Sequence, residues 1–361
     1  MKNIRIQTPA RICLFGDHQD YLELPVIACA IDRFINLTAE ENETSELKIL
    51  MPDIHSERTI GISETFEILE KEDYLASALK VLRRYDCIPN KGYTITFKSE
   101  IPINAGVSSS SAVVISWIHF LLAEFGCSKE INSELIAKIA YEAEVLEHNS
   151  PGGKMDQFTI AIGNIIFIET SGEFSVQKIR NQMKGLVLGE SGIPKETIGL
   201  LGDLRGKANE AVRHVQKQFP EFLLDETSEN EIDTYLPSVP KDLQPIFIAA
   251  IKNHVITQTA FLEFKKDTLD YIEIGRLMNE HHKLLKNNLK ITVPKIDAMI
   301  DAALDAGAYG AKIIGSGGGG SIVALSPPSK EVEIVKAIKN AGGKDAYSVE
   351  VSQGSQILLN A

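Results

Sequence analysis

The chain of 361 residues is 44% hydrophobic and 24% charged, which is the composition of an ordinary globular protein. Its length exceeds the size at which a single hydrophobic core keeps growing, so two domains are expected. The formal net charge of −12 argues against nucleic acid or an anionic membrane as the main partner, because binding to either requires a basic surface.

Cysteine usage and the N-terminal segment indicate the compartment. The four cysteines are scattered, with no CxxC pair and no metal-ligand spacing to histidine, which is typical of reduced thiols. The segment MKNIRIQTPARICLFG lacks the continuous apolar run of a signal peptide, and no stretch of the sequence reaches membrane-spanning length. We therefore expect a cytoplasmic protein without a membrane partner, and the sequence leaves monomer and dimer open.

The first half of the chain mixes predicted strands and helices. Alternating apolar and polar residues predict strands in KNIRIQTPARICLFG and KGYTITFKSEI, and helical spacing predicts a helix from Tyr74 to Tyr85 between them. Two helices are predicted next, over 112–125 and about 131–147, and GNIIFIETSG predicts a strand.

The pattern resets near residue 183, which predicts domains of residues 1–183 and 184–361. After a strand in GLVLGESGIP, residues 205–290 are mostly helical, and the acidic segment DETSENEIDTYLPSVP within them is expected to be a solvated loop. The last part alternates again, with a helix over 294–306, strands in AKIIGSG and SIVALSP, a helix over 329–341 and strands to the end.

The run IPINAGVSSSSAVVISWIHFLL, residues 101–122, is the most informative local feature. A Pro and a Gly lead into four serines that open an apolar helix, and the serine hydroxyls are expected to cap free amides there. A helix N-terminus after a glycine loop also presents N–H groups and the positive end of the helix dipole to a phosphate. Taken alone, the run fits a well-capped core helix equally well.

A cluster of polar residues surrounds the glycine turn in ARICLFGDHQDYLELPVIACAID. Arg11 precedes the turn, and Asp17, His18 and Asp20 follow it. Hydrogen-bonding side chains gathered at a strand end suit a site for a small polyol. The alternative is a turn stabilised by Asx hydrogen bonds.

A second cluster lies in EAEVLEHNSPGGKMDQF. Asp156 follows a Pro-Gly-Gly turn, and Glu144 lies near the end of the preceding helix. A buried carboxylate beside a cation can orient and activate a hydroxyl. An aspartate after Gly-Gly is, by itself, usually a turn residue.

The glycine-rich run GAKIIGSGGGGSIVAL formally contains GxGxxG at Gly315, Gly317 and Gly320. It leads into a strand and not a helix, so a dinucleotide-binding fold is rejected, and the sequence contains no P-loop motif. The glycines would let the backbone come very close either to a phosphate or to the serine helix. His281 and His282 are expected to be packing and capping residues and not metal ligands.

In this order, the segments resemble the GHMP family of small-molecule kinases, which includes galactokinase and mevalonate kinase. The family's serine motif is matched by Pro102–Ser111, and the two galactokinase signatures are matched by Arg11–Tyr21 and Gly153–Gln157. PVIACAID and LGESGIPKET are similar to mevalonate kinase. The resemblance implies an α+β, two-domain GHMP kinase fold with the ATP and substrate site in the cleft between the N- and C-terminal domains.

The resemblance also implies roles for single residues. Asp156 would face the acceptor hydroxyl, Arg11 would keep Asp156 ionised and stabilise the transferred phosphoryl group, and Ser110 and Glu144 would bind Mg²⁺. Binding of the sugar substrate would fall to Arg11, Asp17, His18, Asp20, Gly153 and Asp156. Binding of ATP would fall to Gly106, Val107, Ser108, Ser109, Ser110, Ser111, Gly315, Gly317 and Gly318.

Departures from the galactokinase pattern concern the sugar side. Asp17 replaces the glutamate of the signature, Leu22–Leu24 replaces a glycine pair, and GLLGDLRGKA lacks the family's tyrosine. We therefore expect an ATP-dependent kinase that makes a sugar 1-phosphate from a sugar other than galactose. A mevalonate-type kinase of another small alcohol is one alternative, against which Arg11 and Asp20 argue. A non-catalytic sensor of sugar and ATP is the other, and the retained Asp156 argues against it.

Overall fold

A computed structural model describes residues 3–170, 173–181, 183–195 and 198–358 of the chain. Within these residues the strands form two sheets. The strands of the larger sheet are β1 (Asn3–Phe15), β2 (Val26–Glu41), β3 (Glu46–Met51), β4 (Ser56–Gly61), β5 (Tyr93–Ser99), β6 (Ile165–Glu169), β7 (Ser175–Ile179) and β12 (Gln356–Leu358). Their order is β12-β1-β2-β5-β3-β4, and β6 pairs with β2 and β7. The last two residues of the predicted strand GNIIFIETSG lie outside the described residues.

The long antiparallel pair of β1 and β2 supports the first half of the molecule. Its register shifts between Pro9 and Ala10, where proline has no N–H to give to the ladder. Just beyond this irregularity the backbone N–H of Arg11 donates to the carbonyl of Val107 at 3.2 Å. The shift therefore lies beside the point where β1 meets residues 102–108, which we call the serine loop.

Helices with strongly apolar faces cover this sheet. They are α1 (Tyr74–Arg83), α2 (Ser109–Phe125), α3 (Ser133–Tyr141) and α4 (Met155–Ile162). α2 and α4 pack on β1 and β2, and α1 and α3 pack on the other helices. Trp117 and Ile118 of α2 are fully buried against the sheet, as the apolar run after the serines predicts. A π-helical turn, Glu142–Leu146, follows α3 directly, so the predicted helix over 131–147 is not regular to its end.

The second sheet has the order β11-β8-β10-β9. Its strands are β8 (Leu186–Glu190), β9 (Gly310–Ile314), β10 (Ser321–Leu325) and β11 (Asp345–Val349). The helices of this half are α5 (Ile198–Gln218), α6 (Ile232–Tyr235), α7 (Gln244–Phe264), α8 (Tyr271–Asn287), α9 (Pro294–Asp305) and α10 (Glu331–Asn340). His281 and His282 of α8 are buried, and the His281 ring stacks on Phe15 with 6.1 Å between centroids, so both pack in the core as expected.

Two parts of the second half differ from the sequence prediction. The acidic segment is not a solvated loop: it forms short helical turns and α6, with Ile232 and Val239 buried in a small cluster with Phe247 of α7. These apolar residues are few and lie among acidic ones, so the overall composition of the segment does not reveal that some of its side chains are buried. The last strand, β12, pairs with β1 in the larger sheet, so the chain returns to its first half at the end. The boundary at residue 183 remains a prediction.

Candidate active site

A polar cleft opens where four segments converge. They are the serine loop, the glycine-rich residues 315–320 after β9 (the glycine loop), the turn after β1 and the turn before α4. Both halves of the chain contribute to its walls. It is lined by Arg11, Asp17, His18, Asp20, Tyr74, Ser110, Ser111, Glu144, Val145, Ser150, Gly152, Gly153, Met155, Asp156, Gln157, Lys195, Leu201, Gly315 and Ser316. The structure thus brings together most of the residues that the sequence proposed from four separate clusters.

Arg11 and Asp156 form the central ion pair of the cleft. The Arg11 Nε donates to Asp156 Oδ1 at 2.7 Å, and a second guanidinium nitrogen donates to the Gly106 carbonyl at 2.7 Å. The Arg11 side chain is 5% exposed, whereas that of Asp156 is 30% exposed. Burial by itself would raise the pKa of Asp156, but the Arg11 charge and its hydrogen bond hold that pKa below the usual value. An ionised carboxylate therefore faces the cleft.

The Ser108 side chain binds Asp156 and does not cap α2, so the expectation that the Ser108 hydroxyl caps the helix is wrong. Its hydroxyl donates to Asp156 Oδ2, and its side chain makes no cap hydrogen bond to α2. The Ser108 backbone is left-handed, with φ 59°, a conformation that costs free energy for a residue with a Cβ. This geometry turns the hydroxyl toward the carboxylate rather than toward the amides of α2.

Glu144 is the second carboxylate of the cleft and lies on the π-helical turn. It accepts hydrogen bonds from Ser111 Oγ at 3.1 Å and from Gln157 Nε2 at 2.7 Å. Burial, with a further contribution from the Asp156 charge, raises the pKa of Glu144 to about 7. A single π-helical turn is a common way to place a side chain in a functional site.

These oxygens fit a Mg²⁺ ion that also binds phosphate. Mg²⁺ takes one or two carboxylates and completes its shell with water and phosphate oxygens, and the described part of the chain holds no cluster of three metal-binding His, Cys, Asp or Glu side chains. The predicted Ser110 borders the cleft and is exposed. The hydroxyl hydrogen-bonded to Glu144 is that of Ser111, so ligation by Ser110 remains a prediction.

Asp20 and Gly153 meet at the wall of the cleft. A Cβ on Gly153 would lie 2.0 Å from Asp20 Oδ2, so only glycine fits this approach. Burial and the nearby Asp156 charge raise the pKa of Asp20 to about 6. Backbone N–H groups of Tyr21 and Met155 and the Arg11 charge offset this rise only in part, so Asp20 is an acceptor carboxylate at the cleft, of the kind that a site for hydroxyl groups requires.

Asp17 and His18 lie beside the glycine loop, and their role in binding a sugar remains a prediction. Asp17 accepts from Lys312 Nζ at 2.6 Å and from the Gly315 N–H at 3.0 Å, and its side chain is 1% exposed. His18 Nε2 is hydrogen-bonded to the Ser316 carbonyl at 3.1 Å. Both border the cleft, but their polar atoms are engaged with the glycine loop, because the chain folds β9 directly above the turn after β1.

The glycine loop is held mainly by protein contacts. A Cβ on Gly315 would lie 3.0 Å from the Gly106 carbonyl, so the loop packs on the serine loop, one of the two alternatives for these glycines. A Cβ on Gly317 would lie 2.6 Å from Ile291, and the Gly318 N–H donates to the Ile291 carbonyl at 2.8 Å. Gly315 lines the cleft, whereas Gly317 and Gly318 contact the segment before α9.

Lys195 was not proposed as a site residue. It lines the cleft, and burial lowers its pKa against the opposing charges of Asp156 and Glu144. The available signal was a lysine directly after a Gly-Ile-Pro turn at the end of a strand, in a segment already similar to mevalonate kinase. Two residues that the sequence predicts to bind ATP have structural positions. The Val107 carbonyl accepts a hydrogen bond from the Arg11 N–H, and Ser109 is the first residue of α2.

Comparisons with known proteins agree with this architecture. The family models for the GHMP kinases N terminal domain and the GHMP kinases C terminal match residues 73–164 and 260–344. Mevalonate kinase of Thermococcus sibiricus is 30% identical over 360 residues, which are 97% of this chain and 96% of the relative. Galactokinase of Thermotoga neapolitana is 26% identical over 361 residues, again 97% and 96% of the two chains.

The crystal structure of Lactococcus lactis galactokinase complexed with galactose has a TM-score of 0.87 at 22% identity, covering 99% of this chain and 95% of that one. Fold and comparisons together define a two-domain small-molecule kinase, a phosphotransferase. The chain belongs to the GHMP kinase family, and the predicted α+β fold is confirmed. Among the described residues, no helix has the length and apolar character needed to cross a bilayer.

Proposed function

We propose that this GHMP kinase transfers the γ-phosphoryl group of ATP to the anomeric hydroxyl of a neutral monosaccharide, giving a sugar 1-phosphate and ADP. The family uses ATP as phosphoryl donor. The observation that carries the choice of acceptor is the pair of carboxylates, Asp20 and Asp156, that face one cleft. A neutral polyol can donate hydroxyl hydrogens to both, whereas an acceptor with its own carboxylate would meet like charge.

Asp156 would act on the acceptor hydroxyl. Its ionised Oδ atoms are held by Arg11 and Ser108, and the side chain keeps its exposed edge toward the cleft. As the hydroxyl oxygen bonds to the γ-phosphorus, the bond from phosphorus to the β–γ bridging oxygen breaks, the proton passes to Asp156, and the electron pair leaves with ADP. The Arg11 guanidinium lies beside this charge and offsets it.

The remaining residues would bind ATP and its metal ion. Glu144 and Ser110 would hold Mg²⁺, which supplies charge neutralisation for the β- and γ-phosphates. Lys195, which lines the cleft, would contact a phosphate oxygen, and the start of α2 would present amide N–H groups to the phosphates. We assign residues 1–183 and 184–361 to the N- and C-terminal domains, apart from the returning strand β12.

A substrate panel tests the proposal. Purified protein is assayed by coupled ADP release against aldohexoses, aldopentoses, deoxyhexoses and N-acetylhexosamines, with galactose and mevalonate included. We expect a neutral sugar to give the highest kcat/KM, with galactose poor because the replacement at Leu22–Leu24 and the missing tyrosine leave its hydroxyls unpaired at about 1–3 kcal/mol each. Mevalonate as the best acceptor would overturn the proposal, and the mevalonate kinase relatives make it the second candidate.

A further inference from the structure

We propose that Asp17, assisted by His18, is a positioning residue for the ATP-side glycine loop and not a ligand of the acceptor. The turn after β1 carries both residues, and their polar atoms reach across to residues 315–316 after β9. The inference goes beyond the proposed function, since it concerns how one subsite is built whichever small alcohol is phosphorylated.

The contacts of Asp17 define a closed set. Oδ2 accepts from Lys312 Nζ at 2.6 Å, and Oδ1 accepts from the Gly315 N–H at 3.0 Å. Lys312 Nζ also donates to the Cys13 carbonyl at 3.1 Å and is 0% exposed. Both oxygens and the ammonium are engaged in a buried, charge-assisted pair, and the Asp17 side chain is only 1% exposed, so little of it is open to a sugar hydroxyl.

The two ends of the glycine loop have different supports. The far end is tied within the second half, by the Gly318 N–H to Ile291 at 2.8 Å and the Gly320 N–H to Ile193 at 2.8 Å. The near end, residues 315–316, is tied to the first half, by Asp17 and His18. The hydrogen bonds of Asp17 and His18 therefore hold the near end of the glycine loop against Gly106 of the serine loop.

His18 adds a second contact between the turn after β1 and the glycine loop. Its Nε2 lies 3.1 Å from the Ser316 carbonyl, and its Nδ1 lies 3.3 Å from the Tyr21 hydroxyl. Asp20, next in this turn, faces the opposite way, toward Gly153. One short turn thus serves two subsites: residues 17–18 hold the nucleotide loop, and Asp20 remains for the acceptor.

The test separates the Michaelis constants of the two substrates. Asp17→Asn alone leaves Lys312 buried without its carboxylate and is expected to lose thermal stability. The main variant is therefore Asp17→Ala with Lys312→Met, which removes both charges and keeps the side-chain volume at position 312 close to that of lysine. Glu333→Gln is the matched control, because it removes a carboxylate from an exposed pair with Lys330. Thermal unfolding confirms that each protein is folded.

We expect the double variant to raise the KM for ATP about tenfold or more and to leave the KM for the acceptor, at saturating ATP, within about threefold. A rise confined to the acceptor KM would make Asp17 an acceptor ligand and overturn the inference. Equal rises in the KM for ATP and the KM for the acceptor would also overturn the inference, because they would indicate general distortion of the site. No change in either KM would overturn it too, because the contact between Asp17 and the glycine loop would then have no effect on ATP binding.

Calorimetric titration with β,γ-imido-ATP and Mg²⁺, without acceptor, gives a second readout. We expect the double variant to bind this analogue about tenfold more weakly than the wild type and the Glu333→Gln control. Unchanged binding would contradict the inference. If the wild type phosphorylates no sugar, the proposed function fails, but this titration still decides the role of Asp17, so the two failures are distinguishable.

Discussion

Arg11 Nε donates to Asp156 Oδ1 at 2.7 Å, which joins the middle of the first strand to the first turn of α4 across 145 residues of sequence. The same guanidinium holds the Gly106 carbonyl at 2.7 Å. A single buried cation therefore fixes both the carboxylate that faces the acceptor and the loop that leads into the serine helix.

Asp156→Asn should keep the fold and acceptor binding but lose at least a few hundredfold in kcat, which is within the range of roughly 10²–10⁴ for a positioned acid–base group. The amide cannot accept the hydroxyl proton. Steady-state kinetics with the best acceptor measures the change, and isothermal titration with that acceptor checks binding. A kcat within a few fold of the wild type would remove Asp156 from this role.

Arg11→Lys should lower kcat by roughly 10–100-fold, because an ammonium cannot reproduce the forked contact with Asp156 and Gly106. The matched control is Arg276→Lys, which alters a half-exposed guanidinium bonded to Glu273 and Glu280 on the surface of α8. We expect control kinetics equal to those of the wild type. Equal kinetics for both variants would show that the fork at Arg11 is dispensable.

Glu144→Gln and Ser110→Ala should each raise the Mg²⁺ concentration that gives half-maximal rate, because each removes an oxygen ligand or its charge. Glu142→Gln is the control, since Glu142 lies on the same π-helical turn but accepts a hydrogen bond from Tyr85. A Mg²⁺ titration at fixed total ATP measures the effect. If neither variant moves the titration midpoint, the metal lies elsewhere.

Asp20→Asn should stabilise the protein in a pH-dependent way. The pKa of Asp20 is raised from 3.8 to about 6, so ionisation disfavours the folded state and stability is lost as the pH rises from about 4 to 6. Replacing the carboxyl by an amide removes that loss. The gain in Tm over the wild type should therefore be largest at pH 7.5 and shrink toward pH 4.5, while acceptor binding weakens. A gain independent of pH would contradict the assignment.

Gly153→Ala should raise the acceptor KM, because the added Cβ would lie 2.0 Å from Asp20 Oδ2 and must displace that carboxylate. The KM for ATP should change little. Gly206→Ala on α5 is the control: its Cβ meets no atom within 4 Å, and alanine stabilises a helix interior by roughly 0.5–1 kcal/mol relative to glycine. An acceptor KM unaffected by Gly153→Ala would separate Asp20 from acceptor binding.

The sequence by itself determined the order of the elements and the segments that meet in the cleft. Apolar periodicity placed the helix after the serine run at 112–125, and α2 ends at Phe125 as predicted but begins three residues earlier, at Ser109. The Pro-Gly-Gly turn before Asp156 is visible in the sequence, although the helix α4 that carries Asp156 in its first turn is not predicted. These features depend on neighbours within a few residues, which is why local patterns reveal them.

Only the tertiary structure decided which polar atoms pair. Asp17 meets Lys312 across 295 residues, and no local pattern specifies that partner. The Ser108 hydroxyl turns to Asp156 and leaves the helix uncapped by its side chain, because the left-handed backbone directs it there. Lys195 joins the cleft through the packing of its loop beside Asn104. Periodicity and capping rules describe contacts near in sequence, whereas the free energy of these buried charges depends on partners that only the folded chain brings together.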